Sequence, residues 1–192
     1  MRCKLKFFLM FGVAIFLSSC STKVPDNPTN LCKIFKEHTH WYEDAQEVYE
    51  ERGVPIHIPM AFMYHESGYV DDAKPPMRWF LFIPYGRGSS AYGYAQASDE
   101  VWNDYLAESG GFFTSRTDFK DSLDFISWYI LKTKAINKIP ITNVYLQYIN
   151  YHDGWKGYRQ GLYKKANSIS SYARKVEQTA NRYKQQLSSC DL

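Results

Sequence analysis

Apolar residues spaced three and four positions apart recur along most of the chain, and this spacing favours helices. The first such stripe runs from Ile34 to Tyr49, and Gly53 is well placed to end its helix. The other predicted helices cover residues 59–67, a segment after the candidate N-cap Ser98, a segment from about residue 118, residues 140–149 and roughly 168–187. No repeat, heptad run or clear strand interrupts this pattern, and 45% of the 192 residues are hydrophobic. The sequence therefore predicts one all-α domain with a core of ordinary size.

One segment, residues 69–97, departs from the helical pattern. The prolines and glycines that exclude a long helix here are Pro75, Pro76, Pro84, Gly86, Gly88 and Gly93. A loop of this length inside a small domain is usually functional. We expect it to form a cleft, with room for a short hairpin.

The N-terminal residues have the pattern of an export signal. Arg2, Lys4 and Lys6 precede an apolar run over residues 7–17, which is about half as long as a membrane-spanning helix needs. Without these three cations, the chain has as many basic residues as its 20 acidic ones. The net charge therefore gives no reason to expect nucleic-acid binding. The sequence predicts a signal peptide over residues 1–19.

Leu17-Ser18-Ser19-Cys20 resembles the lipobox of bacterial lipoproteins. This resemblance implies that Cys20 carries the lipid and anchors the chain in a membrane. Ser21, which stands where inner-membrane retention often uses Asp, implies the periplasmic face of the outer membrane. Residues 20–30 then form a flexible tether, and residues 31–192 form the folded domain. An ordinary secretory signal cleaved nearby is the alternative.

Two cysteines remain for the folded domain, Cys32 and Cys190. In an exported, oxidising setting we expect them to form a disulfide, although two buried free thiols are an alternative. No Cys or His spacing indicates a metal site, and we expect no cofactor.

Three polar spots stand out from the helical core pattern. Glu66 ends a short, mostly apolar helix, where partial burial would raise its pKa and suit it to a general acid; a solvated helix end is the alternative. The turn at residues 89–97 combines small, amide and aromatic residues that suit a glycan cleft, though a simple turn with a surface Gln fits as well. Residues 148–158 are either a third part of that site or a helix stop at Gly154 with interface packing.

Together, the three spots resemble the lytic transglycosylases with a goose-type-lysozyme-like domain, over roughly residues 54–162. Glu66-Ser67 matches that family's Glu-Ser pair, and Gly93-Tyr94-Ala95-Gln96 is similar to its Gly-Leu-Met-Gln stretch. Tyr151-His152-Asp153-Gly154 resembles its Tyr-Asn-x-Gly element, with His in place of Asn. The resemblance implies a lysozyme-like helical fold that binds the glycan strands of peptidoglycan.

The same resemblance implies a reaction and a role for each residue. Glu66 is the single acid and base, and Tyr151 orients it or the substrate's acetamido group. The residues expected to bind the glycan are Ser67, Gly93, Tyr94, Gln96 and His152. The bond between N-acetylmuramic acid (MurNAc) and N-acetylglucosamine (GlcNAc) is cleaved by the substrate's own 6-hydroxyl, which leaves a 1,6-anhydro end.

Other functions stay open at this point. Asp71 or Asp72 could position a water for a hydrolysing muramidase, whereas His65 points to another helix face. A non-catalytic peptidoglycan-binding lipoprotein would keep the aromatic cleft without needing the acid. Other wall-remodelling proteins, or a secretion apparatus, are conceivable partners. Both endolytic and exolytic cleavage are compatible with these motifs.

Overall fold

The computed structural model describes residues 23–165 and 167–192 of the chain. The helices of this part are α1 (Leu31–Glu37), α2 (Thr39–Arg52), α3 (His57–Ser67), α4 (Asp99–Ser109), α5 (Phe119–Asn137), α6 (Val144–Arg159) and α7 (Asn167–Leu187). A 3-10 turn covers Leu162–Lys164, and two strands, β1 (Met77–Phe80) and β2 (Ile83–Arg87), form a hairpin. Among these helices, none has the length and apolar character needed to cross a membrane. The predicted signal peptide and Cys20 lie outside the described residues.

The first predicted helix is two helices. His38 adopts a non-helical backbone (φ −123°, ψ 74°), and its N–H caps α1 by donating to the Ile34 carbonyl. Its ring is buried and stacks on Trp41, with ring centroids 4.2 Å apart. The apolar spacing continues across this break, which is why the sequence pattern did not reveal it. Gly53 ends α2 in the left-handed conformation, as predicted.

Helix α6 begins later than the sequence predicts, at Val144 and not at Pro140. The Asn143 side chain fixes this start, because its oxygen accepts a hydrogen bond from the Leu146 N–H at 3.0 Å. Gly154 interrupts the helix (φ 71°, ψ 160°), and a last helical turn follows it to Arg159. The interruption reorients the chain directly after the predicted site residues.

Helix α3 lies at the centre of the fold. It packs against α5 and α7, and its residues from Ile58 to Met63 are buried. Gly68 (φ 63°) ends it in the left-handed conformation, directly after Ser67, where the predicted helix also ends. Because its first turns are fixed in the core, α3 holds the residues of its last turn firmly at the core's edge.

The two ends of the domain are joined. The predicted disulfide between Cys32 and Cys190 is present, with a Cα–Cα distance of 5.6 Å. The end of the predicted tether also contacts α7, since Arg182 donates to the Thr29 carbonyl and Tyr183 to the Pro28 carbonyl. The body thus includes residues that the sequence assigned to the tether.

The only sheet among the described residues is the hairpin in segment 69–97. Its antiparallel strands pair Met77 with Arg87 and Phe80 with Ile83, which leaves Leu81 and Phe82 as a two-residue turn. Every residue of both strands is exposed. The predicted all-α fold is therefore confirmed, with a small hairpin extending from it.

Candidate functional site

Glu66 lies on the last turn of α3, where the buried part of the helix meets an open pocket. Burial raises the pKa of its carboxyl from 4.5 to about 7. The Tyr148 hydroxyl donates a hydrogen bond to Glu66, and His152 lies close enough to act on the same carboxylate; both contacts lower the pKa in part. Glu66 can therefore hold a proton near neutral pH and release it there.

Three helices enclose the pocket around Glu66. It is lined by His65 and Glu66 of α3, Tyr148 and His152 of α6, and Ser168, Ile169 and Tyr172 of α7. The Tyr172 hydroxyl donates to the His65 carbonyl at 2.8 Å, and His65 Nε2 lies 2.9 Å from Thr179 Oγ1. These bonds fix α7 against the end of α3 and hold the pocket wall in place.

A second pocket adjoins the first. It is lined by Gln96, Ala97, Ser98, Val101, Phe125, Tyr129, Tyr151, His152, Asp153 and Gly154. His152 lines both pockets, and its side chain is 56% exposed. Its Nδ1 lies 2.8 Å from Asp153 Oδ1, a contact that orients the ring. We call the two pockets together the cleft, and His152 is the residue that lines both of them.

A tight turn at residues 92–97 shapes the second pocket. Gly93 has a positive φ (+77°), and a Cβ at this position would overlap the Arg116 carbonyl oxygen. The Gln96 amide nitrogen donates to the carbonyls of Gly93 and Ala73, both at 2.9 Å. Gly93 therefore allows the backbone approach, and Gln96 holds the turn against the preceding loop.

The structure brings some of the predicted site residues together and separates others. Glu66 and His152 share one pocket, and Gln96, Tyr151 and His152 share the other. Ser67 lines neither, and its hydroxyl donates to the Met63 carbonyl at 3.3 Å.

Tyr94 lies in the core, contrary to its expected place in the cleft. Its side chain is 1% exposed and packs edge-on against Trp41 and Phe119. The turn at Gly93 directs the Tyr94 ring inward. The Tyr94 N–H donates a hydrogen bond to the Arg116 carbonyl, and this bond holds the turn against the Arg116 backbone. The Tyr94 ring thus supports the turn from inside and leaves no face for a glycan.

Tyr151 also makes a contact that differs from the expected one. Its hydroxyl donates to the Ala95 carbonyl at 2.5 Å, and its ring packs edge-on against Phe62. The hydrogen bond to Glu66 comes instead from Tyr148, one helical turn earlier on the same face of α6.

Sequence reasoning missed Tyr148 and Tyr172 as site residues. The three-residue spacing between Tyr148 and Tyr151 was a usable signal, since such residues are neighbours on a helix surface. Nothing local indicates Tyr172, which lines the same pocket as Glu66 because α7 packs across α3 and α6.

We expect Gly93→Ala to lower the free energy of unfolding by roughly 2–4 kcal/mol. Alanine disfavours the left-handed backbone at this position, and its Cβ would also clash with the Arg116 carbonyl. Gly53→Ala is the matched control: Gly53 has a similar φ of +69°, but nothing lies within 4 Å of its missing Cβ. Urea unfolding of both variants measures the difference. If both variants lost the same free energy of unfolding, the close contact between Gly93 and the Arg116 carbonyl would not be the reason for glycine at this position.

A family model described as transglycosylase SLT domain matches residues 8–190 of the chain. No curated protein and no solved structure matched it. The SLT domain is lysozyme-like, in agreement with the helical architecture. It also supports a transglycosylase-type function that acts on peptidoglycan, with glycan strands as the substrate. The match covers well over half of the sequence, and the chain therefore belongs to the transglycosylase SLT domain family.

Proposed function

We propose that the chain is a peptidoglycan lytic transglycosylase that cleaves the MurNAc–GlcNAc bond and leaves 1,6-anhydro-MurNAc ends. The observation that carries this proposal is Glu66, a carboxyl with a pKa raised to about 7 at the edge of a cleft. Such a group can serve as acid and then as base within one turnover.

In the first step, protonated Glu66 gives its proton to the oxygen of the glycosidic bond. The bond from C1 of MurNAc to that oxygen breaks, and the MurNAc N-acetyl oxygen stabilises C1. The GlcNAc part leaves with a new hydroxyl.

In the second step, the 6-hydroxyl of the same MurNAc attacks C1, and the Glu66 carboxylate takes the hydroxyl proton. Glu66 is then protonated again, and no water is consumed. Because the attacking hydroxyl belongs to the substrate itself, its effective concentration at C1 is high. The enzyme therefore does not need to activate a water molecule.

The neighbours of Glu66 support this cycle. The hydrogen bond from Tyr148 favours the carboxylate form of Glu66, which is the form present between the two steps. It therefore limits the rise in the Glu66 pKa that burial causes. We assign to Tyr151 and Gln96 the binding of sugar in the second pocket, and to His152 a contact with the sugar that bridges the two pockets.

An ordinary glycosidase needs a second carboxylate beside the scissile bond. Neither Asp71 nor Asp72 lines the two pockets, although both were candidates for a hydrolysing mechanism. The second carboxylate in the cleft is Asp153, which contacts the His152 ring. This arrangement supports the substrate-assisted route over the muramidase reaction.

Mass spectrometry of fragments released from purified sacculi by the full chain tests the proposed product. We expect anhydro-muropeptides, which are lighter by one water than fragments with reducing ends. Reducing ends would mean a muramidase. Sacculi that bind the protein and release nothing would mean a binding lipoprotein.

We further propose that Cys20 carries a lipid that anchors the enzyme at the periplasmic face of the outer membrane. The support is the sequence Leu17-Ser18-Ser19-Cys20-Ser21 after a basic and apolar leader. Its partners there are the glycan strands and, by extension, other wall-remodelling or secretion-apparatus proteins.

We expect Tyr148→Phe to move the alkaline limb of the pH–activity profile upward by about one pH unit. Loss of a hydrogen bond to a charged group disfavours the carboxylate, so Glu66 keeps its proton to higher pH. Release of anhydro-muropeptides between pH 5 and pH 9 measures the limb.

Tyr151→Phe is the matched control for this change. It removes a hydroxyl from the same helix face, but that hydroxyl donates to the Ala95 carbonyl. We expect its alkaline limb to stay near that of the unmodified protein. An unchanged or lower limb in Tyr148→Phe would rule out this role for Tyr148.

A further inference from the structure

The tip of the hairpin exposes five consecutive large apolar side chains. Their exposed fractions are 60% for Trp79, 70% for Phe80, 79% for Leu81, 92% for Phe82 and 67% for Ile83. Soluble surfaces rarely expose so much contiguous apolar area unless it contacts something else. The tip therefore requires a partner that the folded domain itself does not provide.

Both faces of the hairpin are apolar at the tip. Successive side chains of a strand point to opposite faces, so an unbroken apolar run indicates apolar surroundings on both sides. Leu81 also takes a left-handed backbone (φ 53°) in the turn, where Asn or Gly is usual. An apolar residue is thus present at the tip despite the backbone preference. A partner that touches only one face would not account for this pattern.

Cations surround the base of the same hairpin. Arg78 lies against Gly88, and Arg87 donates to the Pro75 carbonyl. Lys74 lies near the Tyr92 ring, 4.8 Å from its centroid. Residues 73–98 contain these three cations and no Asp or Glu. Asp99, which lines a pocket together with Lys74 and Arg87, is neutralised by an ion pair with Arg116 and does not offset them. The hairpin is therefore apolar at its tip and positive at its base.

The hairpin does not belong to the proposed glycan cleft. None of its residues lines either of the two pockets that His152 connects. Its apolar residues thus lie apart from the proposed catalytic group, and the proposed reaction does not explain their exposure.

We propose that this hairpin inserts its tip into the interface of an anionic lipid bilayer. The apolar side chains enter the boundary between headgroups and acyl chains, where Trp and Tyr are favoured, and the three cations meet lipid phosphates. A two-stranded hairpin has open edges with unpaired backbone groups, so the insertion stops at this boundary. The contact adds a second point of attachment that does not depend on a lipid at Cys20.

The test uses the emission of Trp79 in the full chain mixed with phosphatidylglycerol vesicles. Subtracting the spectrum of Trp79→Phe isolates this residue from the other tryptophans. We expect its emission to shift to shorter wavelength and to be quenched by lipids brominated near the headgroup end of the acyl chains. Vesicles of phosphatidylcholine, or added salt, should weaken both effects because the cations contribute less.

Two variants provide the comparison. Phe82→Asp places a charge at the tip, and we expect it to reduce the Trp79 quenching at least roughly tenfold. Phe113→Asp changes a residue that is 90% exposed in the loop after α4, and it should leave the Trp79 signal unchanged. All variants keep the same leader, so the differences report on the hairpin. Muropeptide release from sacculi should be the same for both variants.

Several outcomes would overturn the proposal. Trp79 emission that is unaffected by vesicles means that the tip stays in water. Equal quenching in Phe82→Asp means that the tip is not the contact. If Phe82→Asp loses binding to sacculi while vesicles have no effect on Trp79, the hairpin is a glycan-binding element and not a membrane contact.

Discussion

Glu66→Gln is expected to lower the release of anhydro-muropeptides from sacculi by roughly 10²–10⁴-fold, the usual contribution of a positioned acid and base. Gln keeps the shape of the side chain but can neither donate nor accept the transferred proton. Quantitative mass spectrometry of the released fragments, with the unmodified full chain in parallel, gives the ratio. Binding to sacculi should persist, because the rest of the cleft is unchanged.

A second measurement on the same variant separates catalysis from folding. The raised pKa of Glu66 means that the folded protein keeps a proton between about pH 4.5 and pH 7 that the unfolded chain has released. The free energy of unfolding of the unmodified protein therefore falls as the pH rises through this range. Glu66→Gln has no carboxyl to titrate and so does not lose stability in this way. We expect it to be more stable than the unmodified protein at pH 8 by about 2–3 kcal/mol, and about equally stable near pH 4.5.

The two measurements constrain each other. A variant that is inactive and less stable at pH 8 would point to misfolding, not to loss of the acid. If Glu66→Gln releases anhydro ends at a near-normal rate, Glu66 is not the acid and base. If Glu66→Gln loses activity and gains stability at pH 8, the Glu66 carboxyl serves the reaction and not the stability of the fold.

Loss of the disulfide is expected to cause the largest loss of stability. Cys32 and Cys190 are 158 positions apart, and the chain-entropy estimate for closing so long a loop is about 5 kcal/mol. Replacing both cysteines by Ser should lower the free energy of unfolding by roughly 2–5 kcal/mol, since measured effects often lie below the estimate. Urea unfolding with and without a reductant measures it.

The double variant is its own control for the reductant. A reductant should lower the unfolding midpoint of the unmodified protein and leave that of the double Ser variant unchanged. If the unmodified protein unfolds at the same urea concentration with and without reductant, the bridge does not stabilise the fold. Activity at low temperature should survive, because neither cysteine lines the cleft.

The sequence allowed the architecture to be predicted because helix periodicity and helix ends are local properties. Gly53 and Gly68 end helices in the left-handed conformation, and Asp118 caps α5, as their residue types suggest. The split at His38 was missed because the apolar spacing runs through it unbroken. Local pattern thus predicted which elements form more reliably than where they are interrupted.

The candidate site was predicted in part, for a related reason. The helix end that carries Glu66 is visible in sequence, and so is the turn at Gly93. The inward direction of the Tyr94 ring depends on the backbone of Arg116, and the wall at Tyr172 depends on how α7 packs. Such facts belong to tertiary structure, and no local pattern contains them.

The position of α7 has a consequence for the order in which the pocket around Glu66 forms. Residues of this last helix complete the wall around Glu66, and Cys190 lies just beyond its end. During synthesis, residues 31–165 leave the ribosome before α7 does, so at first they can fold only without this wall. The pocket around Glu66 is therefore incomplete until α7 has docked, and the acid–base chemistry that we propose for Glu66 waits for that docking step.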